Sequence, residues 1–144
     1  MNLLVALDLS DSTAVIVVRA QQLATSLSAH VYLLHVAEPE PDFVGYEVGP
    51  QAVRDSLAEK FHQEHRQIQE IAAQLRAVDI EATALLVAGA TVDTILHQSE
   101  KLSPEMIIVG SHGAGAMTRL LVGSVSEGVL RSAECPVLVV PTRS

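Results

Sequence analysis

Cysteine occurs once in 144 residues, tryptophan not at all, and aromatic side chains make up only 3% of the chain. A single thiol cannot close an intramolecular disulfide, which excludes a small cross-linked secreted scaffold. With so few aromatics the core must be built from Val, Leu, Ile and Ala, a palette that favours an α/β sheet over an all-β fold. The 49% apolar content is ample for one domain spanning residues 1–144. Long apolar runs are missing too: none approaches the roughly 18 residues needed to cross a bilayer, so membrane insertion is not expected. The apolar start at Leu3 stops at Asp8 and has no basic segment before it, unlike a signal peptide, and a cytoplasmic protein is expected. Basic residues are also scarce. Nine Lys and Arg against 17 Asp and Glu give a net charge of −8, and no dense basic cluster offers a footprint for DNA or RNA.

What is present is an alternation of strands and helices. Asn2 to Leu7 is an unbroken apolar run, and the Asp8-Leu-Ser-Asp-Ser12 that follows is turn and helix-start chemistry. From Ser12 to about Ser28 the β-branched residues favour a strand, while the length and the preceding cap decide for a helix. His30 to Val36 predicts a second strand, and Ala37 to Pro50, rich in proline and glycine, a loop. Between Gln51 and Arg76, Val53, Leu57, Phe61, Ile68, Ala72 and Leu75 recur at helical spacing. Ile80 to Val87 predicts a third strand, Gly89-Ala-Thr91 a turn and Val92 to Lys101 a third helix. Met106 to Val109 is a fourth strand, and Pro136 to Val140 a fifth after a last helix. The order βαβαβαβαβ implies a doubly wound open parallel sheet with right-handed crossovers and helices on both faces.

The most informative stretch runs from Met106 to Glu127. Gly110 ends the fourth strand, Gly113 and Gly115 permit close backbone approach, and Gly123-Ser124 opens a helix. The free N–H groups and partial positive charge of a helix start, with the hydroxyls of Ser124 and Ser126, suit an anion, and phosphate is the leading candidate. A Walker loop is excluded, because Gly110-x4-Gly115 is followed by Ala116 and not by lysine. A dinucleotide fingerprint is excluded as well, because Gly113-x-Gly115 meets Thr118 where a third glycine is needed.

What remains is Gly110-x2-Gly113-x9-Gly123-Ser124, and on this spacing the chain resembles the ATP-binding branch of the universal stress protein family. The likeness extends to Leu3-Leu-Val-Ala-Leu-Asp8, to Leu34-His-Val36 and to Cys135-Pro-Val-Leu-Val-Val-Pro141, and so covers essentially the whole chain. It implies the strand order 3-2-1-4-5, with a ligand between strands one and four, where Asp8 and Gly110 lie. An adenosine pocket at Ala6, Asp8 and the backbone of Val36 is implied as well. The phosphates would sit on Val109, Gly110, Ser111, His112 and Gly113, near Arg119, and on the helix start at Gly123, Ser124, Val125 and Ser126. The occupant implied is ATP, with ADP or AMP as alternatives, and any Mg²⁺ or Mn²⁺ would be carried by the phosphates. A homodimer pairing its final strands, residues 136–140, is implied too.

Several of these residues have a plainer reading. Asp8 can simply cap the first loop, and Ser124 and Ser126 can act as helix caps in the same geometry that binds phosphate. His112 can serve as acid or base or only as a solvated loop residue, and Arg119 can neutralise phosphate or merely be solvated. His62, Glu64 and His65 lie close together on the second helix, but without further ligands at suitable spacing they read as a polar face. Cys135, lacking an activating partner, reads as a buried inert thiol. The functional expectation is a regulatory protein of the stress response that acts on an unidentified protein partner through its nucleotide-loaded state. The alternatives are a slow ATPase, with His112 or Asp8 positioning water, and a nucleotide-independent interaction protein.

Overall fold

A computed structural model describes residues 1–38, 50–111 and 123–142, with Pro50 and Val53 described by their backbone only. Five strands alternate with four helices: β1 (Asn2–Ala6), α1 (Thr13–Leu27), β2 (His30–Ala37), α2 (Pro50–Arg76), β3 (Ala82–Ala88), α3 (Thr91–Leu102), β4 (Met106–Gly110), α4 (Ser124–Ser132) and β5 (Val137–Val140). All pairings are parallel and the sheet order is β3-β2-β1-β4-β5. The expected doubly wound sheet is therefore the observed one, with boundaries shifted by a residue or two. The largest shift is at β3, which starts at Ala82 because Asp79, at φ 65°, still belongs to the turn after α2.

Alternation along β1 assigns the two faces. Leu3, Val5 and Leu7 point into a core shared with Ile16, Ala20 and Ala24 of α1 and with Ile68, Ala72 and Leu75 of α2. On the other face Leu4 meets Leu34, Ile107 and Val109 under Ile95 of α3 and Val129 of α4. Strands buried on both faces need apolar residues at successive positions, as in Leu3-Leu4-Val5 and Ile107-Ile108-Val109. The β-branched run in α1 is tolerated because Ile16 packs into the sheet at a helical interval from Ala20 and Ala24.

Two features bear on the site. α2 has 27 residues, about 40 Å of helix, against about 25 Å for the strands beneath it. Its first half therefore overhangs the carboxyl ends of the strands. The apolar stripe expected along the whole helix is buried only from Ile68 onward, and Leu57 and Phe61 remain 39% and 41% exposed. The second feature is the seat between α3 and α4: a Cβ on Gly128 would come within 2.9 Å of a Val92 methyl. Glycine in mid-helix costs about 1 kcal/mol relative to alanine, and here it lets α4 lie directly against α3.

Candidate functional site

The winding reverses between β1 and β4, which pair directly through Leu3–Met106, Leu4–Ile107 and Val5–Ile108. Outside their carboxyl ends the helices lead away in opposite directions and leave a crevice. A cleft of about 390 Å³ lies there. Its floor is apolar, with Ala6, Leu34, Val36, Ile95 and Val109 among the lining residues. Its polar rim includes Asp8, Ser12, His35 and Thr91, together with the start of α4 at Gly123, Ser124, Val125 and Ser126.

The α4 side is built from backbone. Gly123 is the N-cap, at φ −62° and ψ 161°, and no side chain among the described residues caps this helix. Its carbonyl accepts the first helical bond, from the Glu127 N–H at 2.9 Å. By helix geometry the amides of Ser124, Val125 and Ser126 have no acceptor within the helix, and the dipole adds partial positive charge at the same place. The capping role open to the two serines from sequence is not what is seen. Ser124 is the first helical residue, and Ser126, 3% exposed, donates its hydroxyl to the Gly110 carbonyl, tying α4 to the end of β4. The Gly123 N–H donates to the Ser111 carbonyl at 2.6 Å, so the residues flanking the intervening segment are held together.

On the other side, the turn after β1 is shaped by Asp8. Its Oδ1 accepts the Ser10 N–H at 3.0 Å and the Ser10 hydroxyl at 2.6 Å, while Leu9 takes a positive φ of 60°. Asp8 thus caps its own loop and also lines the cleft. His35, buried at 7% exposure, contacts the Leu7 carbonyl through Nδ1 at 2.8 Å and Glu64 through Nε2. Thr91 opens α3, and both its N–H, at 3.0 Å, and its hydroxyl donate to Glu38 Oε1. These bonds, first from the Thr91 hydroxyl and then from its amide, hold the Glu38 carboxyl below the usual carboxylate range, against a small opposing effect of burial.

Of the sequence-derived site residues, Ala6, Asp8, Val36, Val109, Gly110, Gly123, Ser124, Val125 and Ser126 meet around this cleft. Ser111 stands beside it, its Oγ 3.3 Å from the Thr142 hydroxyl and accepting the Thr142 N–H at 3.1 Å. His112, Gly113 and Arg119 lie outside the described residues. His35, Ser12, Thr91 and Ile95 were not anticipated. His35 hides within an apolar strand, and Thr91 is drawn in by a carboxylate 53 positions away. Elsewhere, His62 and His65 are exposed and Glu64 is turned to His35. No group of three His, Cys, Asp or Glu side chains suited to a metal occurs among the described residues. Cys135 is half-buried and not fully enclosed, with its Sγ 3.9 Å from the Ser99 hydroxyl. No helix among the described residues is long and apolar enough to cross a membrane.

Comparison with known proteins agrees with this geometry. Universal stress protein A homolog 2 of Coxiella burnetii is 36% identical over 144 residues, covering 96% of this chain and 93% of that protein. The solved structure of hypothetical protein MJ0577, a protein of Methanocaldococcus jannaschii, superposes with a TM-score of 0.80 at 26% identity over 99% of this chain and 96% of the other. A universal stress protein from Archaeoglobus fulgidus, solved in complex with dAMP, shares the fold with a TM-score of 0.66 at 18% identity, covering 97% of each chain. The model of the universal stress protein family matches residues 1–141, and the chain belongs to that family.

Proposed function

We propose that this protein is a member of the ATP-binding branch and holds an adenine nucleotide, ATP by preference, in the cleft between the ends of β1 and β4. In this reading it acts on a protein partner of the stress response through its loaded state. The observation that carries the proposal is the start of α4, which has no side-chain cap among the described residues and lines an apolar-floored cleft at the point where the winding reverses. The base and ribose would rest near Ala6, Asp8 and Val36. The phosphates would meet Gly110, Gly123, Ser124, Val125 and Ser126, with His112, Gly113 and Arg119 supplied by the adjoining segment. Any Mg²⁺ or Mn²⁺ would travel with the phosphates. The dAMP complex of the Archaeoglobus relative supports an adenine nucleotide as the class of ligand.

Holding rather than hydrolysing is favoured, because Asp8 Oδ1 is already engaged by Ser10 and so is poorly placed to activate water. Calorimetric titration with ATP, ADP, AMP and adenosine tests the reading. Binding should tighten as phosphates are added, and no heat at millimolar ATP would remove the nucleotide altogether.

A two-fold dimer through β5 accompanies this proposal. Val137 to Val140 is the last strand of the sheet order and carries no charge, leaving one edge as a template for a second copy. Light scattering after gel filtration should give twice the 15.3 kDa of one chain, and a monomer at tens of micromolar would overturn it.

A further inference from the structure

The hydrogens on His35 can be counted from its partners. A carbonyl only accepts, so the Nδ1 facing the Leu7 carbonyl carries a hydrogen and donates it. An ionised carboxylate also only accepts, so the contact between Nε2 and Glu64 needs a second hydrogen, held by the ring or by the carboxyl group. Without that hydrogen two lone pairs would face each other. Water does little to relieve them, since the two side chains are only 9% and 16% exposed.

The ring also holds a particular part of the frame. The Leu7 N–H donates to the Leu34 carbonyl at 2.8 Å, and the Leu7 carbonyl accepts from His35, so this residue is fastened to β2 on both sides. Leu7 leads directly into Asp8, and His35 leads directly into Val36. The imidazole therefore joins that backbone bond in holding together the two strand ends that form one wall of the cleft. Glu64 reaches it from α2, a helix that gives no described residue to the lining of that cleft.

We propose that the contact between His35 and Glu64 is a proton-bridged clamp. It positions the ends of β1 and β2 for the base and ribose. The proposal rests on the nucleotide reading above. His35 and Glu64 are positioning residues that act through the backbones of Leu7 and Val36. The charged groups sharing the adjoining hollow are Asp8 after β1, Glu38 after β2 and Lys60 of α2, while β3 and α3 bring only Ala88 and Thr91. The variants below leave all of these unchanged.

Glu64→Gln separates a proton-bridged clamp from a simple packing contact. Its amide offers an N–H to a bare Nε2 or turns its carbonyl toward a protonated one, so the contact survives in both states. Glu64→Ala removes the contact. Adenosine is the probe, because it carries no phosphate and reports on the base and ribose alone. Glu64→Gln should bind it within about twofold of wild type, and Glu64→Ala roughly tenfold more weakly. Wild-type affinity in Glu64→Ala, or a loss in Glu64→Gln as large as in Glu64→Ala, overturns the clamp.

Imidazole and amide NMR spectra give a readout that needs no nucleotide. Glu64→Ala should move the Leu7 and Asp8 amide signals, and Glu64→Gln should leave those two amides in place. Leu7 and Asp8 amides that ignore Glu64→Ala also overturn it. If neither ATP nor adenosine binds the wild type, the nucleotide reading falls, and these amide signals alone decide the clamp.

Discussion

Two helices begin at the cleft, and they begin differently. α3 starts after Ala90 and α4 after Gly123, and neither N-cap offers a side-chain acceptor. At α3 the gap is filled from elsewhere in the chain, because Glu38 brings a carboxylate to the Thr91 amide and hydroxyl. At α4 no described side chain caps the helix. Both starts carry the same partial positive charge. The difference is that one already holds the protein's own carboxylate, and the other is where the proposed phosphates would sit.

Giving α4 an internal anion should have the largest effect. The backbone of Gly123 lies in the extended region, which aspartate adopts readily at an N-cap, so Gly123→Asp should form a good cap. Calorimetry is expected to show ATP affinity falling about a hundredfold or more, because the new carboxylate both takes the amides and repels phosphate. Adenosine affinity and the melting temperature should hold or improve. Undiminished ATP binding in this variant would place the phosphates away from α4.

The two serines should come apart in the next test. Ser126→Ala removes a buried donor to the Gly110 carbonyl and should cost about 1–2 kcal/mol of stability in urea unfolding. Ser124→Ala should leave stability near wild type and weaken ATP by about 1 kcal/mol, with less effect on adenosine. If the serines exchange these effects, the division of labour between them is wrong.

Uncapping α3 is the smallest change. Glu38→Gln should lower stability by about 0.5 kcal/mol, since the capping carboxylate is exposed and screened. Its folded pKa is lowered, so its contribution is present above the ordinary carboxylate range and lost as the pH falls through the lowered value. Melting temperatures of wild type and Glu38→Gln should therefore differ near neutrality and converge in acid. A constant difference at every pH would show that Glu38 acts through something other than its charge.

The open helix start was legible in the sequence, while the filled one was not. Gly110 and Gly123-Ser124 announce a strand end and a helix start because each depends on neighbours within a few positions. The apolar runs of β1 and β4 likewise identify a parallel sheet buried on both faces. Glu38 and Thr91 are 53 positions apart, and His35 and Glu64 are 29 apart, so neither pair leaves a local trace. His35 stands in a strand whose neighbours are all apolar, where one polar residue carries no periodic signal. Glu64, between two histidines, reads as part of a polar face until α2 is laid on the sheet. The same limit explains Leu57 and Phe61: their spacing is that of a core stripe, but the strands end before the helix does.

The seat of Gly128 on Val92 gives the two helix starts a fixed gauge. A hydrogen against two methyls leaves little slack, so α3 and α4 are seated at a fixed spacing, with Thr91 and Ser124 at their starts both lining the cleft. Added bulk at position 128 would press on Val92 and push the two helices apart. The width of the cleft is thus set in part by an atom that does not line it.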